Sequence, residues 1–234
     1  IDEEVKPEDP DREPDPDAET SYEERLRLFQ NPKLRWSDYD LGLVSEGGGV
    51  FERSAKTIEL HPRARQVLGT EAEVVNGEEL VRLVLKAPVE LLFNGGIGTY
   101  VKASSENHYQ VQDKANDPVR VDARELRCKV VGEGGNLGFT PLGRLEFASG
   151  GGLINTDSID NSAGVDMSDH EVNIKILMDL LQRQGAIPDA ATRNELLRDL
   201  TQEVVDLVLT NSYTQSQALS LDAIRSRESA SRFI

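Results

Sequence analysis

The chain has 234 residues, with 42 acidic side chains against 26 basic ones and a net charge of −16. That excess of acid lacks the basic footprint of a nucleic-acid binder, and no apolar run approaches the roughly 18 residues a membrane helix needs. A single cysteine, Cys128, excludes a disulfide framework and a cysteine-rich zinc site and suits a reducing cytoplasm, while the length suggests roughly one to two domains.

The acidity is unevenly placed. The first nineteen residues carry ten acids against Lys6 and Arg12, a net −8, together with Pro7, Pro10, Pro14 and Pro16. Self-repelling charge and proline block helix and sheet alike, so residues 1–19 read as an extended or disordered connector rather than a docking tail. Thr20 and Ser21 then precede early glutamates and the apolar Leu26 and Phe29, which predicts a short helix stopped at Asn31-Pro32. Trp36 and Tyr39 stand in a polar stretch and read as anchors that pack a loop onto the core.

One pattern recurs through the middle of the chain: a short apolar run that ends in glycine. It appears at 41–44 before Gly47-Gly48-Gly49, at 89–93 before Asn94-Gly95-Gly96, and at 128–131 before Gly132, Gly134, Gly135 and Asn136. It appears again at 153–155, leading to Asn161-Ser162-Ala163-Gly164. A helix is predicted over 74–85. Short apolar strands separated by helices indicate a parallel sheet with crossovers. From Asp169 onward helical periodicity dominates. One helix carries Val172, Ile176, Met178, Leu180 and Leu181 and breaks at Gly185 and Pro188; a second, capped by Asp189, carries Leu196, Leu197, Leu200, Val204, Leu207 and Val208; a third starts near Ser220.

The glycine-rich strand ends are the chemically suggestive feature. In an open α/β sheet, ligands bind beyond the carboxyl ends of the strands. Glycine lets backbone and ligand approach closely, and the asparagine amide both donates and accepts, which suits a carboxamide, a ribose or an amino acid. Three ends combine the two residue types: 94–96, 134–136 and 161–164. No complete dinucleotide fingerprint is present, since the runs from Gly96 and from Gly132 both lack the final glycine of G-x-G-x-x-G, and there is no Walker lysine motif. The run Asp166-Met167-Ser168-Asp169-His170-Glu171 has the residue types of a metal site but lacks the second histidine of H-E-x-x-H. It reads instead as a helix N-terminus capped by Ser168 or Asp166. Such a terminus also suits a carboxylate ligand. Cys128 reads as a small core filler, and His61 and His108 receive no chemical role.

Three of these segments carry a family resemblance. LLFNGGIGTYV (91–101), KVVGEGGNLGFT (129–140) and NSAGVDMS (161–168) resemble, in order and spacing, motifs of the NAD-dependent glutamate dehydrogenases, most closely the large bacterial type. The resemblance covers roughly residues 20–225. It implies an incomplete Rossmann-like parallel sheet with flanking helices, followed by a C-terminal helical segment. The implied divisions are 1–19 as connector, 20–176 as the later part of an NAD-binding domain and 177–234 as helices. It implies oxidative deamination of L-glutamate to 2-oxoglutarate and ammonia with NAD, in the cytoplasm. Asn94, Gly95, Gly96 and Ile97 would line the adenosine and ribose side of the cofactor, with Gly134 beside them and Asn136 at the nicotinamide end. Asn161 would contact the nicotinamide ribose or the substrate, Ser168 the substrate's side-chain carboxylate, and Gly164 would permit close approach. Where the family has proline and alanine, this chain has Asn94, Gly95 and Gly96.

The family's catalytic lysine and aspartate, its glycine fingerprint and its ribose-binding acid have no counterpart in these residues. The chain therefore reads as a piece of a larger, homo-oligomeric enzyme, with Ile1-Asp2 ending a strand and with the rest of the parent polypeptide as its first partner. Other readings are an amino-acid dehydrogenase for another substrate, or a non-catalytic module whose acidic arm binds a basic partner. Convergence of the three strand ends within about 10 Å separates a site from such a module. Half a sheet also exposes an unpaired strand edge, which predicts marginal stability or self-association. The purified chain is expected to form no NADH from glutamate and NAD; glutamate-dependent absorbance growth at 340 nm above a protein-free control would refute this.

Overall fold

The structure, a computed structural model, describes residues 17–229 and 231 and divides into two compact units, 1–88 and 89–234. The expected acidic connector falls mostly on residues 1–16, outside the described residues.

In the first unit, helix α1 spans Ala18–Gln30. It starts earlier than the hydroxyl pair at 20–21 suggests, because Asp17 is the better cap. Its carboxylate accepts from the backbone N–H groups of Glu19 and Thr20, each at 3.1 Å, and from the Thr20 hydroxyl at 2.5 Å. Two-residue strands β1 (Ile58–Glu59) and β2 (Val74–Val75) pair antiparallel, with helix α2 (Pro62–Leu68) between them. The predicted helix over 74–85 is thereby shortened. Val74 and Val75 go to the strand, and helix α3 (Gly77–Leu85) begins only after Asn76. There Asn76 and Glu79 form a reciprocal capping box, with both bonds at 2.9 Å. Ile58, Leu60, Leu68, Val75 and Ala87 form the small buried core.

Two further expectations fail in this unit. Residues 41–44 are not a strand: Leu41–Leu43 form a 3-10 turn in which the Asp40 carboxylate accepts from Gly42 N–H at 2.9 Å. That local bond occupies a backbone donor a ladder would need. Trp36 and Tyr39 do not anchor into a core either. Trp36 is exposed, and the two rings stack on each other with centroids 6.5 Å apart. Their segment is instead tied down by a buried charge. Glu24 takes bonds from Arg27 Nε at 2.6 Å and Nη2 at 2.7 Å, and from Asp40 N–H at 2.7 Å. Arg27 also donates to the Asp38 carbonyl at 2.7 Å.

The second unit holds the parallel sheet. Strands β3 (Leu91–Asn94), β6 (Val130–Glu133) and β7 (Leu153–Ile154) lie side by side in that order, all parallel, with Leu91 opposite Val130 and Val130 opposite Leu153. Between β3 and β6 the chain makes a second, two-stranded parallel pair, β4 (Val101–Lys102) with β5 (Val121–Asp122), separated by the short helix α4 (His108–Val111). Helix α5 (Pro141–Ser149) connects β6 to β7. Val101, Val119, Val121, Val131, Phe139 and Phe147 are buried, and Cys128 fills space with them; burial pushes its thiol up. Arg120, whose side chain is fully buried, organises the excursion by donating to the carbonyls of Thr99 at 2.8 Å and Asp113 at 2.5 Å. The architecture is thus α/β with small parallel sheets, and helices follow.

After the one-turn helix α6 (Asp157–Asp160) come α7 (Ser162–Arg183), α8 (Ala190–Asp199) and α9 (Thr201–Glu228). The chain does not start a helix at Asp166 or Ser168. Asn161 occupies the N-cap position and both residues lie inside α7, so the dipole argument for their polarity does not hold. Leu200 separates α8 from α9, and Ser220 is interior to α9 rather than the start of a third helix. No helix among the described residues is long and apolar enough to cross a membrane.

The Arg27 hydrogen bonds, then the Asp40 N–H, hold the Glu24 carboxyl down at about 2 from an ordinary 4.5. Because the folded value is depressed, the stability it supplies is present above about pH 4.5 and is lost as the pH falls toward 2. Fluorescence of Trp36, the one tryptophan, is expected to change with a midpoint near pH 2, and Glu24→Gln should remove that transition. A midpoint near 4.5 would contradict the clamp.

Candidate functional site

The ends of β3 and β6 and the segment after β7 meet. Asn94, the last residue of β3, sets the first turn by accepting from Gly96 N–H at 3.1 Å, and its carbonyl accepts from Gly134 N–H at 2.8 Å. Gly96 has φ +119°, and its Cα lies so close to Gly135 that a β-carbon on Gly135 would collide with it. Here glycine is required by close approach of two backbones. A β-carbon on Gly138 would likewise overlap the Asn94 amide. On the other side, Asn161 Nδ2 donates to Asn136 Oδ1 at 3.1 Å. The three asparagine–glycine ends therefore form one continuous surface at the carboxyl end of the parallel sheet.

Two residues in these turns adopt a left-handed conformation that side chains disfavour, Ile97 and Leu137, both with φ 59°. Ile97 is 91% exposed, on the β3 side of the site.

Asn136 and Asn161 face a cavity of about 460 Å³ that also takes in Asp157, Ser158, Ser162, Val165, Asp166, Asp169, Asn211 and Gln215. The spacing of 162, 165, 166 and 169 is that of one helix face, and α7 presents it to the cavity. Asn211 and Gln215 reach it from α9, and Asn211 Nδ2 donates to Asp166 Oδ2 at 2.9 Å. Gly164 and Ser168 are absent from this lining. They lie four residues apart on another face of α7, where the Ser168 hydroxyl donates to the Gly164 carbonyl at 3.1 Å. A β-carbon on Gly164 would sit 2.9 Å from Asn161 Oδ1, so Asn161 adjoins that second face as well as the cavity. Asn94, Gly95, Gly96 and Ile97 lie outside the lining, on the adjoining strand end.

Residues the sequence did not single out hold this arrangement. Asp157 Oδ2 accepts from Leu137 N–H at 2.7 Å, and Asp160 Oδ2 accepts from Glu133 N–H at 3.0 Å. Buried Arg144 pairs with buried Glu133, donates to the Asn155 carbonyl at 2.8 Å and lies 3.6 Å from Asp157. The only trace of Asp157 and Asp160 in the sequence is two acids in the short polar run between β7 and Asn161. Asn211 and Gln215 show only as polar residues at i, i+4 in a long helix. Chemically the lining offers four amides and three carboxylates with no Lys or Arg. It suits a carboxamide, hydroxyls or a positively charged ring better than an anion.

Fold and site together define an α/β protein with an amide-lined cavity beyond the carboxyl ends of parallel strands. The family described as bacterial NAD-glutamate dehydrogenase, catalytic domain, matches residues 11–222. The chain is 52% identical over 215 residues to an NAD-specific glutamate dehydrogenase of Halomonas elongata, 54% over 212 residues to one of Mycobacterium tuberculosis and 55% over 215 residues to one of Pseudomonas aeruginosa. These matches cover 92%, 88% and 92% of the chain but 13% of each relative. The chain belongs to the bacterial NAD-glutamate dehydrogenase catalytic-domain family.

The Gly96–Gly135 contact is testable against a built-in control, since a β-carbon on Gly95 meets nothing within 4 Å. Gly135→Ala is expected to destabilise the chain by about 1–3 kcal/mol, the usual cost of overpacking, and Gly95→Ala by less than about 0.5 kcal/mol. Denaturant unfolding of both variants checks this; equal losses would contradict the contact.

Proposed function

We propose that this chain forms the nicotinamide-facing part of an NAD-dependent glutamate dehydrogenase, which converts L-glutamate to 2-oxoglutarate and ammonia. The observation that carries the reading is the Asn136–Asn161 amide pair, hydrogen-bonded at 3.1 Å across two parallel strand ends and opening on the amide-lined cavity. NAD supplies the hydride acceptor. The chain's own residues bind and orient. Asn94, Gly95, Gly96 and Ile97 form the adenosine and ribose side, where absent β-carbons let a ligand lie against backbone. Gly134 continues that surface toward Asn136, whose amide complements a carboxamide.

Asn161 then borders both ligands. The nicotinamide ring lies in the cavity against Asn136 and Asn161, the substrate lies in contact with that ring where Gly164 permits close approach beside Asn161, and the Ser168 hydroxyl, turned from the Gly164 carbonyl, donates to the substrate's side-chain carboxylate. Positioning donor and acceptor in contact beside one amide is the contribution to catalysis we assign to this chain, because fixed near-attack geometry lowers the barrier. No residue of the chain is assigned a proton-transfer role. The 20–176 segment is read as the later part of a Rossmann-like domain: β3, β6 and β7 run in the sequential parallel order that one half of such a sheet has. Residues 177–234 are read as helices that follow it. We place the enzyme in the cytoplasm, as a homo-oligomer; the buried, unpaired Cys128 fits a reducing compartment.

The separate assignments of Asn136 to the cofactor and Ser168 to the substrate predict a split of kinetic effects in the full-length dehydrogenase. Asn136→Ala should raise KM for NAD by about tenfold, the scale of one lost hydrogen bond, and leave KM for glutamate within about twofold. Ser168→Ala should do the reverse. Initial rates with each substrate varied would measure both. Loss confined to the same substrate in both variants would overturn the assignment.

A further inference from the structure

We infer that Asp157 is a positioning residue for the cofactor site: it holds Leu137 in its strained conformation and thereby aims the Asn136 amide. The inference rests on the cofactor reading given above for what Asn136 does, but its geometric half stands alone. Leu137 has φ 59°, a region L side chains with a γ-branch enter only when the surroundings hold them there. The residue immediately before it is Asn136. A Leu137 that relaxed to negative φ would swing the Asn136–Leu137 peptide and move the amide off its partner Asn161.

What opposes relaxation is the 2.7 Å bond from Leu137 N–H to Asp157 Oδ2. Asp157 is itself fixed. Its other oxygen accepts from Ser158 N–H at 3.1 Å and lies 3.6 Å from Arg144 Nη2. Arg144 is in turn locked by the Asn155 carbonyl and by buried Glu133, which ends the very strand that leads to Asn136. The carboxylate therefore bridges two strand ends: its backbone belongs to the segment after β7, which also carries Asn161, and its hydrogen bond goes to the turn after β6, which carries Asn136. A charged acceptor makes the stronger form of such a bond. Asp160 makes a parallel link to Glu133 N–H at 3.0 Å, but that residue has no positive φ to hold.

The two halves are tested separately. In the 234-residue chain, Asp157→Ala should speed hydrogen exchange of the Leu137 amide at least about tenfold relative to the Val131 amide in the same sheet, with Asp157→Asn intermediate because it keeps an oxygen acceptor. Unchanged Leu137 exchange would overturn the inference, whatever the enzyme does. In the full-length dehydrogenase, Asp157→Ala should raise KM for NAD about tenfold with KM for glutamate within twofold. Adding Leu137→Gly should restore KM for NAD to within about threefold, since glycine holds positive φ without help. A double variant as impaired as Asp157→Ala would show that Asp157 acts other than through the turn. Should Asp157→Ala fail to fold, Asp157→Asn with and without Leu137→Gly gives the same comparison. Faster Leu137 exchange in Asp157→Ala, together with no effect of Asn136→Ala on KM for NAD, would locate the failure in the cofactor reading instead.

Discussion

Glu133 and Arg144 form a buried ion pair where β6 ends and α5 turns back toward β7. Two charges taken out of water are costly, and their attraction offsets that cost only while both remain in place. The pair therefore ties three pieces of chain together with little tolerance: the end of β6, helix α5, and the Asn155–Asp157 segment that Arg144 also reaches. Arg144 gains further support from the Phe139 ring, 5.7 Å below its guanidinium carbon. Asn136 and Asn161 extend from the two ends of this clamp. Their 3.1 Å contact is thus a consequence of buried electrostatics behind it as much as of the amides themselves.

The same clamp explains why glycine recurs where it does. With β6 drawn toward β7 on one side and paired with β3 on the other, the turns after β3 and β6 run against each other, and Gly96 and Gly135 are the residues that touch. Function and packing are not separable here. The backbone proximity that excludes a side chain inside the sheet end also leaves an open, low surface outside it, where a planar ligand could lie.

Much of this was legible in the sequence for a definite reason: an apolar run followed by glycine and asparagine describes a buried strand that stops at a surface. Leu91–Asn94 and Val130–Glu133 do form strands and the three ends do meet, although Leu91 and Phe93 are exposed rather than buried. The same pattern misleads at 41–44, where Asp40 spends its carboxylate on Gly42 N–H and closes a turn. Helix α7 was misplaced because Asp166 and Ser168 look like caps, whereas Asn161 occupies that position with no side-chain cap bond. Strands β4 and β5, two residues each, are too short for any period to register. Asp157 and Asp160 were invisible because a carboxylate that bonds a distant backbone N–H leaves no periodic signature. Acids that hold a site and acids that face water are spelled the same.

The central claim is that the amides of Asn136 and Asn161 receive the nicotinamide end of the cofactor. The most direct measurement is a crystal structure of the full-length dehydrogenase with NAD bound. The nicotinamide carboxamide is expected within hydrogen-bonding range of Asn136, about 3 Å, with the ring in the cavity beside Asn161. A bound NAD whose nicotinamide lies away from both asparagines, with the cavity between α7 and α9 left to solvent, would contradict it.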